Sequence, residues 1–340
     1  MDTKQILLTG ASGTIGQELL TILNKIPEYK IIVFDIYNKK TKRIFSKYAT
    51  RIKFIAGDIS NEAEVSKIPP GIDVVIHLAA LIPPVADQYP VLTRKVNVEG
   101  TQLLVHHIQN TSPNAFFMYS SSVSVYGDRL GKSFISVTDP VKISEGDVYG
   151  QSKLDAEMIV RNSSLKWSVF RLAAIMKNHK VSKLMFHMPL ETRFEICTPE
   201  DTARALVCAI NTIDVLDKRI FNLGGGESCC ISYKEFLEKS FRMYGLGNLN
   251  FPNYAFAERN FHCGRMADGD ELEKILHFRN DTFETYFERT AKSVPFSLKF
   301  LVSLFRPFIK WALLLQSEPY RAYRTKDKKM LNHFFKTIHA

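Results

Sequence analysis

A chain of 340 residues, 45% hydrophobic and 24% charged, is long enough to bury one large core, or a main domain with a smaller companion. Its five cysteines, Cys197, Cys208, Cys229, Cys230 and Cys263, have no zinc-ligand spacing and include an adjacent pair. That disfavours a metal-stapled or disulfide-stapled fold, and reduced, structural thiols are the better reading. The net charge of +10 is concentrated, since residues 291–340 hold ten Lys/Arg against Glu318 and Asp327 and the rest of the chain is nearly neutral.

Met1 to Thr3 leave no room for a leader ahead of the first strand, so the expectation is a cytoplasmic protein. Ile6 to Leu8 reads as a short buried strand, and Gln17 to Lys25 has helical apolar spacing. Between them lie Gly10, Gly13 and Gly16, with Thr14 and Ile15 in the same turn. Gly10 suits a tight turn, Gly13 lets backbone approach a pyrophosphate, and Gly16 lets helix and strand pack closely. The helix N-terminus then faces the phosphate charge of a dinucleotide.

Ile31 to Phe34 is a second strand closed by Asp35, 19 residues after Gly16. An acid there accepts hydrogen bonds from ribose hydroxyls and repels a 2′-phosphate, which favours NAD over NADP, moderated by Lys39, Lys40 and Arg43. Arg51 to Ala56 gives a third strand and Asp73 to His77 a fourth, running into Leu78-Ala79-Ala80, small enough for a cofactor to lie against the backbone. His77 reads as a packed strand end rather than a catalyst. Tyr89 to Gln109 has helical spacing, and Ala115 to Tyr119 is a fifth strand that ends in Ser120-Ser121-Ser122. A helix opens at Tyr149, and Ser168 to Phe170 is a sixth strand. Strands alternating with helices imply an α/β fold, a Rossmann-type doubly wound parallel sheet with its ligand at the strands' carboxyl ends. Phe221 to Leu223, before three glycines, reads as a late strand.

Tyr149 and Lys153 are four apart, so both project from one helix face. A nearby ammonium would bring the tyrosine towards a usable acid/base, and a strand-end serine would hold a substrate oxygen. Three consecutive serines, with Ser124 beyond, leave that choice open.

Together these residues resemble the extended short-chain dehydrogenase/reductase family, its NAD-dependent epimerase/dehydratase group. The matches are Thr9-Gly10-x-x-Gly13-x-x-Gly16, Asp35, Gly57-Asp58, His77-Leu78-Ala79-Ala80, Asn97-Val98-x-Gly100-Thr101, Ser120 to Gly127 and Tyr149-Gly150-x-Ser152-Lys153. The resemblance implies that Ser122, Tyr149 and Lys153 are catalytic and that Tyr149 exchanges a proton while NAD takes a hydride from the same carbon. It implies that Lys153 also holds the nicotinamide ribose, that Asp58 and Ile59 contact adenine, and that Leu78, Ala79 and Ala80 line the cofactor. Asn97 would support the site. The family's dehydratases carry a Thr-Asp-Glu run, where this chain has Ser122-Val123-Ser124, so elimination of water is disfavoured. The serine run is similar to the UDP-glucose 4-epimerase pattern.

The division implied is a cofactor domain at 1–171, with 201–223 returning to it. A small substrate-binding part would comprise 172–200 and 224–290, and a basic tail 291–340. The segment from Met176 to Cys197 is short and apolar for a nucleotide-diphosphate site, with Arg193 and Arg265 as the available anchors. The leading expectation is a nucleotide-sugar epimerase. The alternatives are a membrane-associated reductase of a hydrophobic ketone or alcohol, in outline resembling hydroxysteroid dehydrogenases, and a non-catalytic NAD-binding scaffold.

In the tail, Lys299, Ser303, Arg306 and Lys310 share one helical stripe within an otherwise apolar Phe296 to Leu315, and Pro307 should kink or split the helix. Spanning a bilayer would cost about 7.5–10.5 kcal/mol for three charges against about 3.6–7.2 gained from the aliphatic and Phe residues. Lying in the interface, lysines towards headgroups and aromatics buried, suits the pattern better, with Arg321, Arg324, Lys326, Lys328 and Lys329 adding attraction to an anionic leaflet. The expectation is peripheral membrane contact through 296–329, set against packing on the body or in a homodimer. The apolar character disfavours nucleic acid.

Overall fold

Short runs of Ile, Leu, Val and Phe, too brief for helices, form strands, buried on both faces inside the sheet and partly exposed at the Ile52–Ala56 edge. In the computed structural model, which describes residues 3–177, 179, 181, 183–259, 261 and 264–336, seven such strands make one sheet. They are β1 (Lys4–Thr9), β2 (Tyr29–Asp35), β3 (Ile52–Ala56), β4 (Val74–His77), β5 (Phe116–Ser122), β6 (Lys166–Leu172) and β7 (Arg219–Leu223). All neighbours pair in parallel, in the order β7-β6-β5-β4-β1-β2-β3. The order reverses beside β1, so the crevice for a ligand opens above the carboxyl ends of β1 and β4. One core packs Ile6, Leu8, Val33 and Ile76 under the helices Thr14–Leu23 and Pro199–Ala209. The other packs Leu7, Ile32, Val75 and Phe117 under Gly100–Thr111 and Val148–Arg161.

The first helix starts at Thr14, three residues ahead of the sequence expectation, which places Gly13 at its N-cap. The long helix expected from Tyr89 is in three parts: Pro90–Arg94, a π-helical turn Lys95–Glu99, and Gly100–Thr111. The wide turn carries Asn97 inward, and such turns are frequent at functional sites.

Beyond the sheet, Arg193–Cys197 pairs with Ala174–Ile175 and Cys230–Ser232. Around these strands a third apolar cluster gathers Met185, Phe186, Phe194, Phe236, Phe241 and Phe283. Cys197, Cys208, Cys229 and Cys230 are free thiols. Cys263 and Asn178 lie outside the described residues.

Pro307 splits the tail helix into Phe296–Leu304 and Arg306–Leu314. Its polar stripe corrects the orientation expected above. Arg306 Nε donates to the Gly245 carbonyl at 3.2 Å, and Lys310 bonds Asn248 and Asn250, so these two cations of the stripe face the protein, while Lys299 and Ser303 are exposed. Phe296, Phe300, Leu304, Phe305, Phe308 and Trp311 are exposed instead. Among the described residues no helix is long and apolar enough to cross a membrane.

Candidate active site

The glycine turn is shaped by contacts a side chain would destroy. Gly10 adopts φ +70°, and a Cβ on it would lie 2.6 Å from the Ala79 nitrogen. A Cβ on Gly16 would lie 2.5 Å from the Gly10 carbonyl. Gly13 is exposed, its only close neighbour in such a test being the Gly10 carbonyl at 3.1 Å. It leaves an open backbone cradle beside a helix N-terminus, a fit for the pyrophosphate of a dinucleotide. Asp35, buried at the end of β2, accepts from the Ser12 N–H and the Ile36 N–H, each at 2.8 Å. Each carboxylate oxygen keeps a second lone pair for a ribose hydroxyl.

His77 sits inside this framework. Thr101 donates to the Asn97 carbonyl at 2.6 Å, so it accepts from His77 Nε2 at 2.9 Å, and His77 Nδ1 accepts from Thr9 at 2.7 Å. Burial lowers its pKa to about 3, so the ring is a neutral strut joining β1, β4 and the helix above. Asn97 Oδ1 accepts from the Leu81 N–H at 2.7 Å, while its Nδ2 donates to the Leu81 carbonyl at 3.0 Å and to Ser152 Oγ at 2.9 Å. It ties the loop after β4 to the helix that bears Tyr149 and Lys153.

That helix begins under an Asp147 cap, whose Oδ1 accepts from the Gly150 N–H at 2.7 Å. Lys153 is buried, with Nζ donating to the Ser120 carbonyl at 2.7 Å and lying 5.9 Å from the Tyr149 ring centre. The three serines separate by partner. Ser120 donates to the His77 carbonyl at 2.9 Å and Ser121 to Glu157 at 3.0 Å. Ser122 is the one that hydrogen-bonds Tyr149.

The electrostatics differ from the sequence expectation. Burial pushes Tyr149 up to about 12, against the lowering effect of its Ser122 hydrogen bond, and burial brings Lys153 down to about 7. Desolvation outweighs the attraction between ammonium and phenolate that the four-residue spacing suggested. Tyr149 therefore holds its proton near neutral pH, the state that protonates a carbonyl oxygen.

One cleft of about 590 Å³ joins these parts. Gly10, Gly13, Thr14, Ile15, Gly16, Leu78 and Ala80 line one half, and Ser122, Tyr149 and Lys153 the middle. Asp35, Asp58, Ile59, Ala79 and Asn97 are outside its lining. Asp58 is exposed and accepts from Ser60, whereas Ile59 is buried where a Cβ on Gly100 would strike it. The far half is apolar: Met176, Val181, Leu184, Met185, Met188, Phe194, Phe236 and Leu237. Among the described lining residues the only cations are Lys153 and Lys177. Arg193 is exposed, and Arg265 pairs with Glu227 and covers the Phe134 ring at 4.9 Å, so neither anchor reaches the cleft.

Two lining features were not read from the sequence. Lys177 Nζ meets Glu18 Oε1 of the first helix at 2.5 Å, bridging the two sides of the cleft. His179 bonds Tyr286 OH at 2.5 Å and Ser240 Oγ at 2.7 Å, and burial lowers its pKa to about 4. Both depend on partners more than 60 positions away, and no local spacing signals them.

A family model described as NAD dependent epimerase/dehydratase family matches residues 6–180. A 3-beta-hydroxysteroid dehydrogenase of Mycolicibacterium neoaurum is 31% identical over 168 residues, 47% of this chain and 43% of that protein. The 3 beta-hydroxysteroid dehydrogenase type 7 of Mus musculus is 28% identical over 159 residues, 45% of this chain and 43% of that protein. The chain thus matches under half the length of either relative. Among solved structures, UDP-glucuronic acid 4-epimerase of Bacillus cereus with NAD superposes at a TM-score of 0.69, with 24% identity, 85% of this chain and 95% of that one. The dTDP-glucose 4,6-dehydratase of Streptomyces venezuelae with NAD gives 0.70, 18%, 85% and 96%. At these identities the structural likeness bears on the fold.

Proposed function

The chain belongs to the NAD-dependent epimerase/dehydratase family, and from that premise we propose that it is a dehydrogenase or reductase of an apolar secondary alcohol or ketone. The observation that carries this reading is the far half of the cleft, where Met and Phe side chains stand in place of the cations a nucleotide diphosphate needs. The hydroxysteroid dehydrogenases among its relatives act, by their names, on substrates of that kind.

In this reading residues 1–171 and 201–223 hold the cofactor, and 172–200 with 224–290 form the substrate wall. The glycine turn seats the pyrophosphate and Asp35 holds the adenosine ribose. NAD, when bound, supplies or accepts the hydride at the substrate carbon. Ser122 holds the substrate oxygen, and Tyr149 gives it a proton during reduction or takes one during oxidation. Lys153, whose pKa of about 7 lets it carry or release a proton near neutrality, stands behind the tyrosine. The apolar wall excludes water from the reacting carbon.

The second reading is a nucleotide-sugar epimerase, favoured by the serine run from Ser120 to Gly127. Purified full chain is assayed for NADH consumption with flat apolar ketones and for epimerisation of UDP-sugars. Net NADH consumption that is lost in Tyr149→Phe is the expected result. Interconversion of a UDP-sugar with no net change in NADH would overturn the proposal in favour of the second reading.

A further inference from the structure

Large apolar side chains are unevenly exposed on this protein. Of 21 with high exposure among the described residues, nine lie between Phe296 and Leu315, and Phe296 is 82% exposed. The two helices are held by Val302, Ile309, Leu313 and Leu314, half-buried on the third apolar cluster, and by their polar stripe. A water-facing helix pair would turn its charges out. This one turns Arg306 and Lys310 in, keeps Lys299 exposed, and leaves the apolar ridge facing outwards.

Among the described residues, the rest of the tail does not cover that ridge. Glu318–Thr325 and Lys328–Phe334 fold back onto Ala257 and Tyr254, and Phe334 and Phe335 are buried there. At one end of the ridge a cleft of about 290 Å³ opens between the Phe296–Leu304 helix and the loop at Gly245 and Gly247. Arg242, Lys299 and Arg306 surround it, with Ser303, and the exposed rings of Phe296 and Phe300 stand at its edge. Glu238, 3.8 Å from Arg242, is the acid paired to this group.

We propose that this face docks on an anionic phospholipid bilayer. Phe300, Leu304, Phe305, Phe308 and Trp311 enter the acyl boundary, and the Arg242/Lys299/Arg306 cleft receives a lipid phosphate. Three cations beside two exposed phenylalanines match the join between headgroup and chain. A second copy of the chain fits less well, because an isologous contact would bring together two tails that each carry ten basic and two acidic residues over 291–340. The proposal is independent of the substrate, and the ridge joins the protein through the same apolar cluster that lines the cleft.

Full-length protein is floated with phosphatidylcholine vesicles with and without phosphatidylserine. The expected result is binding to the anionic vesicles, weakened by added salt, with a blue shift in emission from exposed Trp311, Trp167 being buried. Phe300→Ser/Phe308→Ser should lose about tenfold or more in vesicle affinity, with melting temperature and NAD binding unchanged because both rings are exposed. Arg242→Glu/Lys299→Glu should abolish the preference for phosphatidylserine. The proposal is overturned by no vesicle binding, by equal binding of the double serine variant, or by concentration-dependent self-association through this face without vesicle binding. Displacement of vesicles by millimolar inorganic phosphate, with no dependence on Phe300 or Phe308, would reassign the cleft to a free anion and equally overturn it.

Discussion

Arg171 grips Glu157 through two hydrogen bonds, Nη2 to Oε1 at 2.7 Å and Nε to Oε2 at 3.1 Å, in a site closed to solvent. Glu157 also accepts from Ser121, and Arg171 continues to Tyr126 OH at 2.8 Å and thence to Asn222 at 2.8 Å. One buried network thus ties the helix of Tyr149 to β5, β6 and β7. Arg171→Met should leave the carboxylate with only Ser121 and the half-exposed Arg161, 3.5 Å away, and cost up to about 3–5 kcal/mol, whereas Glu157→Leu/Arg171→Met should cost markedly less. Urea denaturation of both variants checks this. A single variant as stable as the double would show that the pair is not coupled.

Lys153 gives the protein a pH signature. Its pKa falls from 10.5 in the unfolded chain to about 7 in the fold, so between those values the unfolded chain binds a proton that the folded chain does not. Stability from this residue is complete above about 10.5 and is lost as pH falls towards 7, by up to about 1.4 kcal/mol per unit. Tyr149, raised from 10.0 to about 12, acts oppositely and removes stability as pH rises through that interval. Unfolding free energies measured from pH 7 to 10 should rise less steeply in Lys153→Met than in the natural chain.

Asp35 should set the choice of cofactor. Its carboxylate sits where a 2′-phosphate would have to lie if the adenosine ribose binds at the end of β2. Asp35→Ser is expected to raise the NADP:NAD affinity ratio by about tenfold or more, an amount of the order of one charge contact. Titration of both cofactors by protein fluorescence reads it directly, and an unchanged ratio would remove Asp35 from the ribose site.

The Lys177–Glu18 bridge joins the apolar wall of the cleft to the first helix. Because both partners are partly exposed, Lys177→Ala should change stability by less than about 1 kcal/mol. It should instead speed release of bound cofactor a few-fold, because the bridge joins the two sides of the cleft. Stopped-flow dissociation of NADH separates the two effects, and an unaltered off-rate in Lys177→Ala would make the bridge a bystander.

Much of this architecture is legible from local pattern. The strands from Ile6 to Phe170 declare themselves as short apolar runs, because a parallel sheet buries both faces of each strand. The glycine turn is legible because Gly10 and Gly16 have no room for a side chain. The π-helical turn at Asn97 was not visible, since apolar spacing alone does not reveal one widened turn. The Glu157–Arg171 pair and the His179 cluster were hidden for a different reason: their partners are brought together only by the fold. In the tail, periodicity showed that Lys299, Ser303, Arg306 and Lys310 share a stripe. Which side of that stripe meets the protein depends on carbonyls at Gly245 and Asn248, and these carry no sequence signal.

The last strand has a further consequence. The polypeptide leaves the sheet for the apolar half of the cleft at Leu172 and again at Leu223, and these residues are register partners, with Ala173 N–H donating to the Leu223 carbonyl at 2.9 Å. Both exits are therefore at one point of the scaffold. Whatever is strung beyond them can be lengthened, shortened or exchanged while the ends stay pinned a strand's width apart. Under the proposed function, chemistry and selectivity thereby become separately heritable. The glycine turn and the Tyr149 helix can stay constant while the wall opposite them drifts from one class of molecule to another.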